Sequence, residues 1–145
     1  MTRIFVDCEF NGFGGDLISM ALVPEDDAIE PFYEVINLPE GNRYVWDRWV
    51  WDNVVPVLGK KAISHDDFRR AFIEYLGQFD NPTICADWYT DLVHFMSCFA
   101  GKDHTESFAY ACKTELRLIE NYHSVTPHNA LSDARAIRDA WEAFA

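Results

Sequence analysis

The sequence predicts an α/β protein: a mixed sheet in which three antiparallel strands lead and parallel strands follow, flanked by helices. Three observations carry that expectation. The run Ile4-Phe5-Val6 is apolar at every position, as in a strand covered on both faces. Two further apolar segments follow on short connections, the pattern of an antiparallel meander. Beyond them the apolar spacing changes to that of helices, and strand-like and helix-like segments alternate to the end.

The first strand closes on Asp7-Cys8-Glu9-Phe10. Side chains alternate across a strand, so Asp7 and Glu9 leave the same face at its end. Two like charges held that way repel unless they are protonated or share a cation. Asn11 to Asp16 is a glycine-rich turn without GxGxxG spacing, which sets aside a dinucleotide site. Leu17 to Val23, stopped by Pro24, is the second strand. Glu25-Asp26-Asp27 turns the chain, and Pro31 to Leu38 is the third strand.

From Arg43 to about Leu58 the spacing predicts a helix with Trp46, Val50, Asn53/Val54 and Val57 on one face, leaving Trp49 and Trp51 to a flank. Ser64 followed by Asp67 resembles a capping box. It opens a second helix that turns Phe68, Phe72, Tyr75, Leu76 and Phe79 inward and ends at Asn81-Pro82. Thr83 to Ala86 is the fourth strand, with Asp87-Trp88-Tyr89 as its exit. Thr90 as N-cap sets Asp91 at the first helical position, beside the positive end of the helix dipole. Leu92, Phe95, Met96 and Phe99 form the buried stripe of that helix, and Gly101 closes it. Lys102 to Ser107 reads as a loop, Phe108 to Cys112 as a short strand and Thr114 to about Tyr122 as a short helix. Pro127 breaks the chain and His128 lies on a loop. A last helix runs from about Ala130, with Leu131, Ala134, Ile137, Ala140/Trp141 and Phe144 facing in.

At 145 residues the chain fits one domain spanning 1–145, and 49% apolar with 15% aromatic content argues against disorder. No apolar run approaches the roughly 20 residues of a membrane helix. The start Met1-Thr2-Arg3-Ile4 enters a strand directly, without a signal-peptide pattern. Four cysteines without CxxC spacing point to a reduced, cytoplasmic protein without structural zinc. The net charge of −12 excludes a broad basic face for nucleic acid. Any nucleic acid is then gripped locally, through metals and stacking, which favours short substrates.

Acids stand where the elements end. Asp7 and Glu9 close the first strand, Asp87 or Asp91 follows the fourth, and His128 with Asp133 opens the last helix. In that order and spacing the chain resembles the DEDDh family of 3′-to-5′ exonucleases, nearly end to end. The family's first motif, a strand ending in Asp-x-Glu, matches Phe5-Val6-Asp7-Cys8-Glu9-Phe10. Its second, an Asp at a helix start after a central strand, matches Ala86-Asp87-Trp88-Tyr89-Thr90-Asp91. Its third, His-x4-Asp, matches His128-Asn129-Ala130-Leu131-Ser132-Asp133. Leu17-Ile18-Ser19, Trp49-Val50 and Thr114-Glu115-Leu116-Arg117 resemble in particular the small mycobacterial-type exoribonuclease branch. Many members carry Asn four residues before the second-motif Asp, and here Asp87 holds that place. Either acid fits the motif; Asp91 agrees with the helix start and the family's register and is preferred.

The resemblance implies a ribonuclease H-like fold and 3′-5′ exonuclease activity on short or single-stranded nucleic acid. It implies RNA as substrate, with DNA possible, and a homodimer. It implies catalysis by Asp7, Glu9, Asp91, His128 and Asp133. The four acids form an all-oxygen site for two divalent cations, Mg²⁺ or Mn²⁺. By analogy Asp7 bridges both ions, which stabilise the attacking and leaving oxygens of an in-line displacement. Glu9 and Asp133 bind the ion carrying the nucleophilic water, and Asp91 supports the second. His128 is the general base, with an unperturbed pKa near 6.5 suited to the task. Phe10 and Phe13, with Trp88 or Tyr89 across the cleft, are the candidates for stacking on the terminal nucleotide. Lys113, Arg117 and Arg135 are candidate phosphate contacts. Two rival functions remain compatible with the residues: an internally cutting nuclease, and a non-catalytic module on the same fold that binds nucleic acid or protein.

Overall fold

Five strands form one sheet in the computed structural model, which describes residues 1–36, 46–100 and 107–144. They are β1 (Arg3–Phe10), β2 (Leu17–Pro24), β3 (Phe32–Val35), β4 (Thr83–Ala86) and β5 (Lys113–Leu116), in the spatial order β3-β2-β1-β4-β5. β1, β2 and β3 pair antiparallel, whereas β4 runs parallel to β1 and β5 parallel to β4. The expected mixed sheet flanked by helices is therefore present, with the Ile4-Phe5-Val6 strand at its centre.

Alternation along β1 sorts its side chains between two cores. Ile4, Val6 and Cys8 join Phe68, Phe72 and Leu76 of α2 (His65–Leu76) and Phe95 of α3 (Tyr89–Ser97). Phe5 joins Ala130, Ala134 and Ile137 of α4 (Ala130–Ala140), and its ring meets Trp141 edge-on at 5.4 Å. Asp7 and Glu9 continue the Phe5 face, so they emerge on the side that α4 covers. α2 begins as its sequence suggests: the Ser64 hydroxyl accepts the Asp67 N–H at 3.1 Å.

A register shift separates Glu9 from Phe10. Glu9 opposes Ser19 and Phe10 opposes Leu17, which leaves Ile18 without a partner on β1. Bulges of this kind re-aim side chains beside functional sites. Here Ile18 turns into a third core with Val35, Trp46 and Val50, Val50 belonging to α1 (Arg48–Asn53).

Several elements differ from the sequence reading. The helix expected over 43–58 is the short α1 followed by a 3-10 turn, Val55–Val57; residues 43–45 lie outside the described residues. Pro56 explains the break, since it has no N–H and its ring crowds the carbonyl four residues back. β3 ends at Val35 rather than Leu38, with 37 and 38 outside the described residues. Phe108 to Cys112 form no strand and Thr114 to Tyr122 no helix; Lys113–Leu116 is the strand, paired parallel with β4. Edge pairing with a distant strand overrides the local preference of that segment. α3 begins at Tyr89, so Thr90 is inside the helix and not its cap, and Asp91 is its third residue. Met96, expected inward, is 44% exposed. Gly101 and the loop over 102–106 lie outside the described residues, as does the Phe144 side chain.

Candidate active site

The carboxyl ends of β1 and β4 lie side by side, because these two strands are parallel neighbours. In open α/β sheets ligands gather at such ends. Asp7 and Glu9 arrive there on β1 and Asp87 immediately after β4. Asp91 and Asp133 come from the first turns of α3 and α4, so both are fixed by helix starts. His128 precedes α4 on the loop that Asn129 caps, its side chain accepting the Ser132 N–H at 3.0 Å.

The five acids fall into two groups. Asp7, Glu9 and Asp133 each offer a carboxylate oxygen, all within 4.8 Å of one another, and so do Asp7, Asp87 and Asp91. Asp7 is common to both. The sequence left Asp87 and Asp91 as alternatives, whereas the structure brings both to Asp7. Asp91 is also anchored, its Oδ1 accepting the Cys8 N–H at 3.1 Å. Helix α3 is thereby tied to the middle of the Asp7-Cys8-Glu9 triplet.

No salt bridge among the described residues reaches any of the five acids. Burial, then the charges of Asp91, Glu9, Asp133 and Asp87, holds the Asp7 carboxyl well above its usual range. Burial with Asp133 and Asp91 pushes Glu9 up to about 9. Burial with Asp87 lifts Asp91 to about 8, against the stabilising Cys8 N–H. Burial lifts Asp87 to about 6. Asp133 is raised by burial too, although the His128 N–H donates to its Oδ2 at 3.1 Å. Asp7 Oδ2 and Asp133 Oδ1 are buried without a hydrogen-bond partner among the described residues. Buried carboxylate oxygens without partners are costly, and hard cations take just such all-oxygen ligands. The donor set fits divalent cations.

His128 holds a left-handed backbone, φ 69°, that a non-glycine residue adopts at a cost of roughly 1–2 kcal/mol. The bond from its N–H to Asp133 keeps it there. Its ring meets Trp49 of α1 edge-on at 4.9 Å.

A cleft of about 540 Å³ opens beside the acids, lined by Glu9, Phe10, Phe13, Trp49, Trp88 and Tyr89 among others. All four residues expected to stack on a nucleotide therefore line one cavity with one of the acids. Phe13, Trp88 and Tyr89 are 85%, 50% and 44% exposed, so their rings are open to a ligand. Phe10 is packed against His94 at 4.8 Å and is less available. The turn that carries Phe13 closes tightly: a Cβ on Gly15 would stand 1.7 Å from the Asn11 carbonyl, which admits only glycine.

The three candidate phosphate contacts lie elsewhere. Arg117 donates to Glu115 at 2.8 Å and to the Trp141 carbonyl at 2.7 Å, and its guanidinium stacks over the Trp141 ring. Lys113 pairs with Thr83, at the end of β4 away from Asp87. Arg135 lines a separate groove with His123 and Asp139. Sequence reasoning gave these positions charge without a way to orient them.

No protein-family model and no curated protein matches the chain.

Two residues beside the acids were not singled out by sequence reasoning. Tyr122, read as helical, packs with the Phe5 core. Burial and the charges of Asp87, Asp7, Asp133 and Asp91 raise its phenol. Asn129 spans two elements, capping α4 and donating to the Val57 carbonyl at 2.8 Å. An Asn directly before a helical period was a usable capping signal; nothing in the sequence pointed to Tyr122.

The raised carboxyls set a pH dependence. The folded, metal-free protein keeps protons on Asp87, Asp91 and Glu9 up to about 6, 8 and 9, whereas the unfolded chain releases them near 3.8 to 4.5. Their contribution to stability is full below those lower values and is lost as pH rises through the higher ones. In EDTA the melting temperature is expected to fall from about pH 5 to about pH 9. Mn²⁺ should restore more at the alkaline end, since cation binding displaces protons. A melting temperature that stays level or rises over this range in EDTA would contradict the shifts.

Proposed function

We propose that the protein is a metal-dependent 3′-5′ exonuclease of the DEDDh type, with a ribonuclease H-like sheet and RNA as its preferred substrate. The observation that carries this reading is the pair of carboxylate groups sharing Asp7. They stand at parallel strand ends, with His128 bonded to one of their members and an aromatic cleft alongside. Asp7, Glu9 and Asp133 would hold one divalent cation and Asp7, Asp87 and Asp91 a second. Cations so held supply charge neutralisation at the attacking and leaving oxygens of a phosphodiester.

The protein's own residues do the rest. Trp88, Tyr89 and Phe13 hold a terminal base by stacking, which is tolerant of sequence. His128, kept by Asp133 in its left-handed turn, takes the proton of the attacking water as the water oxygen bonds to phosphorus. The P–O3′ bond of the penultimate nucleotide breaks and the leaving O3′ takes a proton from solvent water, releasing a nucleoside 5′-monophosphate and a strand with a new 3′-hydroxyl. The burial of Asp7 and Asp91, 7% and 3% exposed, excludes water from these charges and strengthens their grip on a cation. Assembly as a homodimer and a cytoplasmic location belong to the same reading. Among the described residues no helix is long and apolar enough to cross a membrane.

A panel of short RNA, short DNA and overhang duplexes, labelled at the 5′ end, tests it with Mg²⁺, Mn²⁺ or EDTA. A ladder shortening one nucleotide at a time from the 3′ end, present with either cation and absent in EDTA, is expected, with RNA degraded fastest. Internal cuts appearing first would replace this reading with that of an endonuclease, and binding without cleavage with that of a non-catalytic module.

A further inference from the structure

We infer that Trp49 is a positioning residue that orients the His128 imidazole and links that orientation to occupancy of the cleft. The inference rests on the proposed role of His128. The His128 backbone is held by Asp133, but no hydrogen bond among the described residues reaches either ring nitrogen. An imidazole without a hydrogen bond to either ring nitrogen can swing about its side-chain torsions. What meets the ring is the Trp49 indole, centroids 4.9 Å apart and planes at 81°. This edge-to-face arrangement is the preferred one for aromatic pairs.

The segment that carries Trp49 is tied at both ends. The Asp47 N–H donates to Asn11 Oδ1 at 2.8 Å, which joins the start of α1 to the turn after β1. The Val57 carbonyl accepts from Asn129 at 2.8 Å, which joins the 3-10 turn after α1 to the residue following His128. α1 is therefore tied between the turn after β1 and the loop that carries His128. The same indole lines the cleft with Phe13, Trp88 and Tyr89 and is 53% exposed. A core residue would not be half open, and a residue serving the cleft alone need not touch His128. A base seated in the cleft would fill the open side of the indole, restricting its motion and with it that of the imidazole.

Two measurements test this. The first is independent of hydrolysis: the His128 ring resonances, assigned by their loss in His128→Asn, are followed in metal-free protein by heteronuclear NMR. Trp49→Ala is expected to shift and broaden them, and Trp49→Phe, which keeps an aromatic edge, to shift them less. The second is kinetic, on a short single-stranded RNA with Mn²⁺. Trp49→Ala is expected to lower kcat roughly 10- to 100-fold, the scale of a misplaced catalytic group, with a smaller change in KM, and Trp49→Phe to recover most of kcat. A wild-type kcat in Trp49→Ala beside an inactive His128→Asn overturns the positioning role and leaves the exonuclease reading intact. Unshifted His128 resonances in Trp49→Ala overturn it as well. Full activity in His128→Asn overturns the role assigned to His128, and the inference with it.

Discussion

Asp7→Asn is expected to abolish phosphodiester hydrolysis while making the metal-free protein more stable. Asp7 belongs to both carboxylate groups, so its loss would weaken both proposed cation sites together. Removing a single electrostatic stabiliser typically costs 10²- to 10³-fold; losing one shared by two sites should cost at least about 10³-fold. Stability moves the opposite way. The Asp7 carboxyl is buried among Asp91, Glu9, Asp133 and Asp87, and its Oδ2 has no partner among the described residues. A neutral amide removes that repulsion from the folded state and has donors to offer the neighbouring carboxylates. A rise of about 3 °C or more in melting temperature in EDTA is expected, together with loss of the further rise expected from Mn²⁺ in the wild type. Wild-type activity in this variant, or a lower melting temperature in EDTA, would mean that the acids are not the charged cluster described.

His128→Asn should separate chemistry from cation binding. Removing a positioned general base costs roughly 10²- to 10⁴-fold in rate, and kcat is expected to fall by that amount. His128 contributes to neither carboxylate group, so the Mn²⁺-induced rise in melting temperature should persist. Asparagine is the informative substitution because it tolerates the left-handed backbone at φ 69°, where alanine would add strain. It can also keep the backbone bond to Asp133. Single-turnover kinetics alongside thermal melts with and without Mn²⁺ decide the matter. Unchanged hydrolysis would remove His128 from the chemistry, and loss of the Mn²⁺ effect would make it part of the cation site instead.

The two variants divide the site along a physical boundary. In the proposed mechanism Asp7 works through charge, and its burial costs the protein stability when no cation is present. His128 there works through proton transfer, and its cost is a backbone conformation. Both are local conflicts between folding and the proposed chemistry, the kind that functional sites accumulate.

What the sequence determined by itself is local. Ile4-Phe5-Val6 reads as a doubly covered strand because every position is apolar, and it is the central strand. Phe68, Phe72 and Leu76 recur at helical spacing and form the inner face of α2, started by the hydroxyl of Ser64. The acids stand at the ends of elements in the sequence and do so in the fold. Tertiary structure alone decided what depends on distant partners. Lys113–Leu116 is a strand because β4 offers it a free edge, a pairing that no local propensity encodes. Asp87 and Asp91 both reach Asp7, because β4 runs parallel beside β1 and α3 follows it directly, starting at Tyr89, two residues before the start that a Thr90 cap would give. Arg117 turns away to Glu115 and Trp141. Trp49 meets His128 across 79 positions of chain. The reason is common to all four: hydrophobic spacing and capping act over a few residues, whereas a site is made by contacts between segments far apart in the chain.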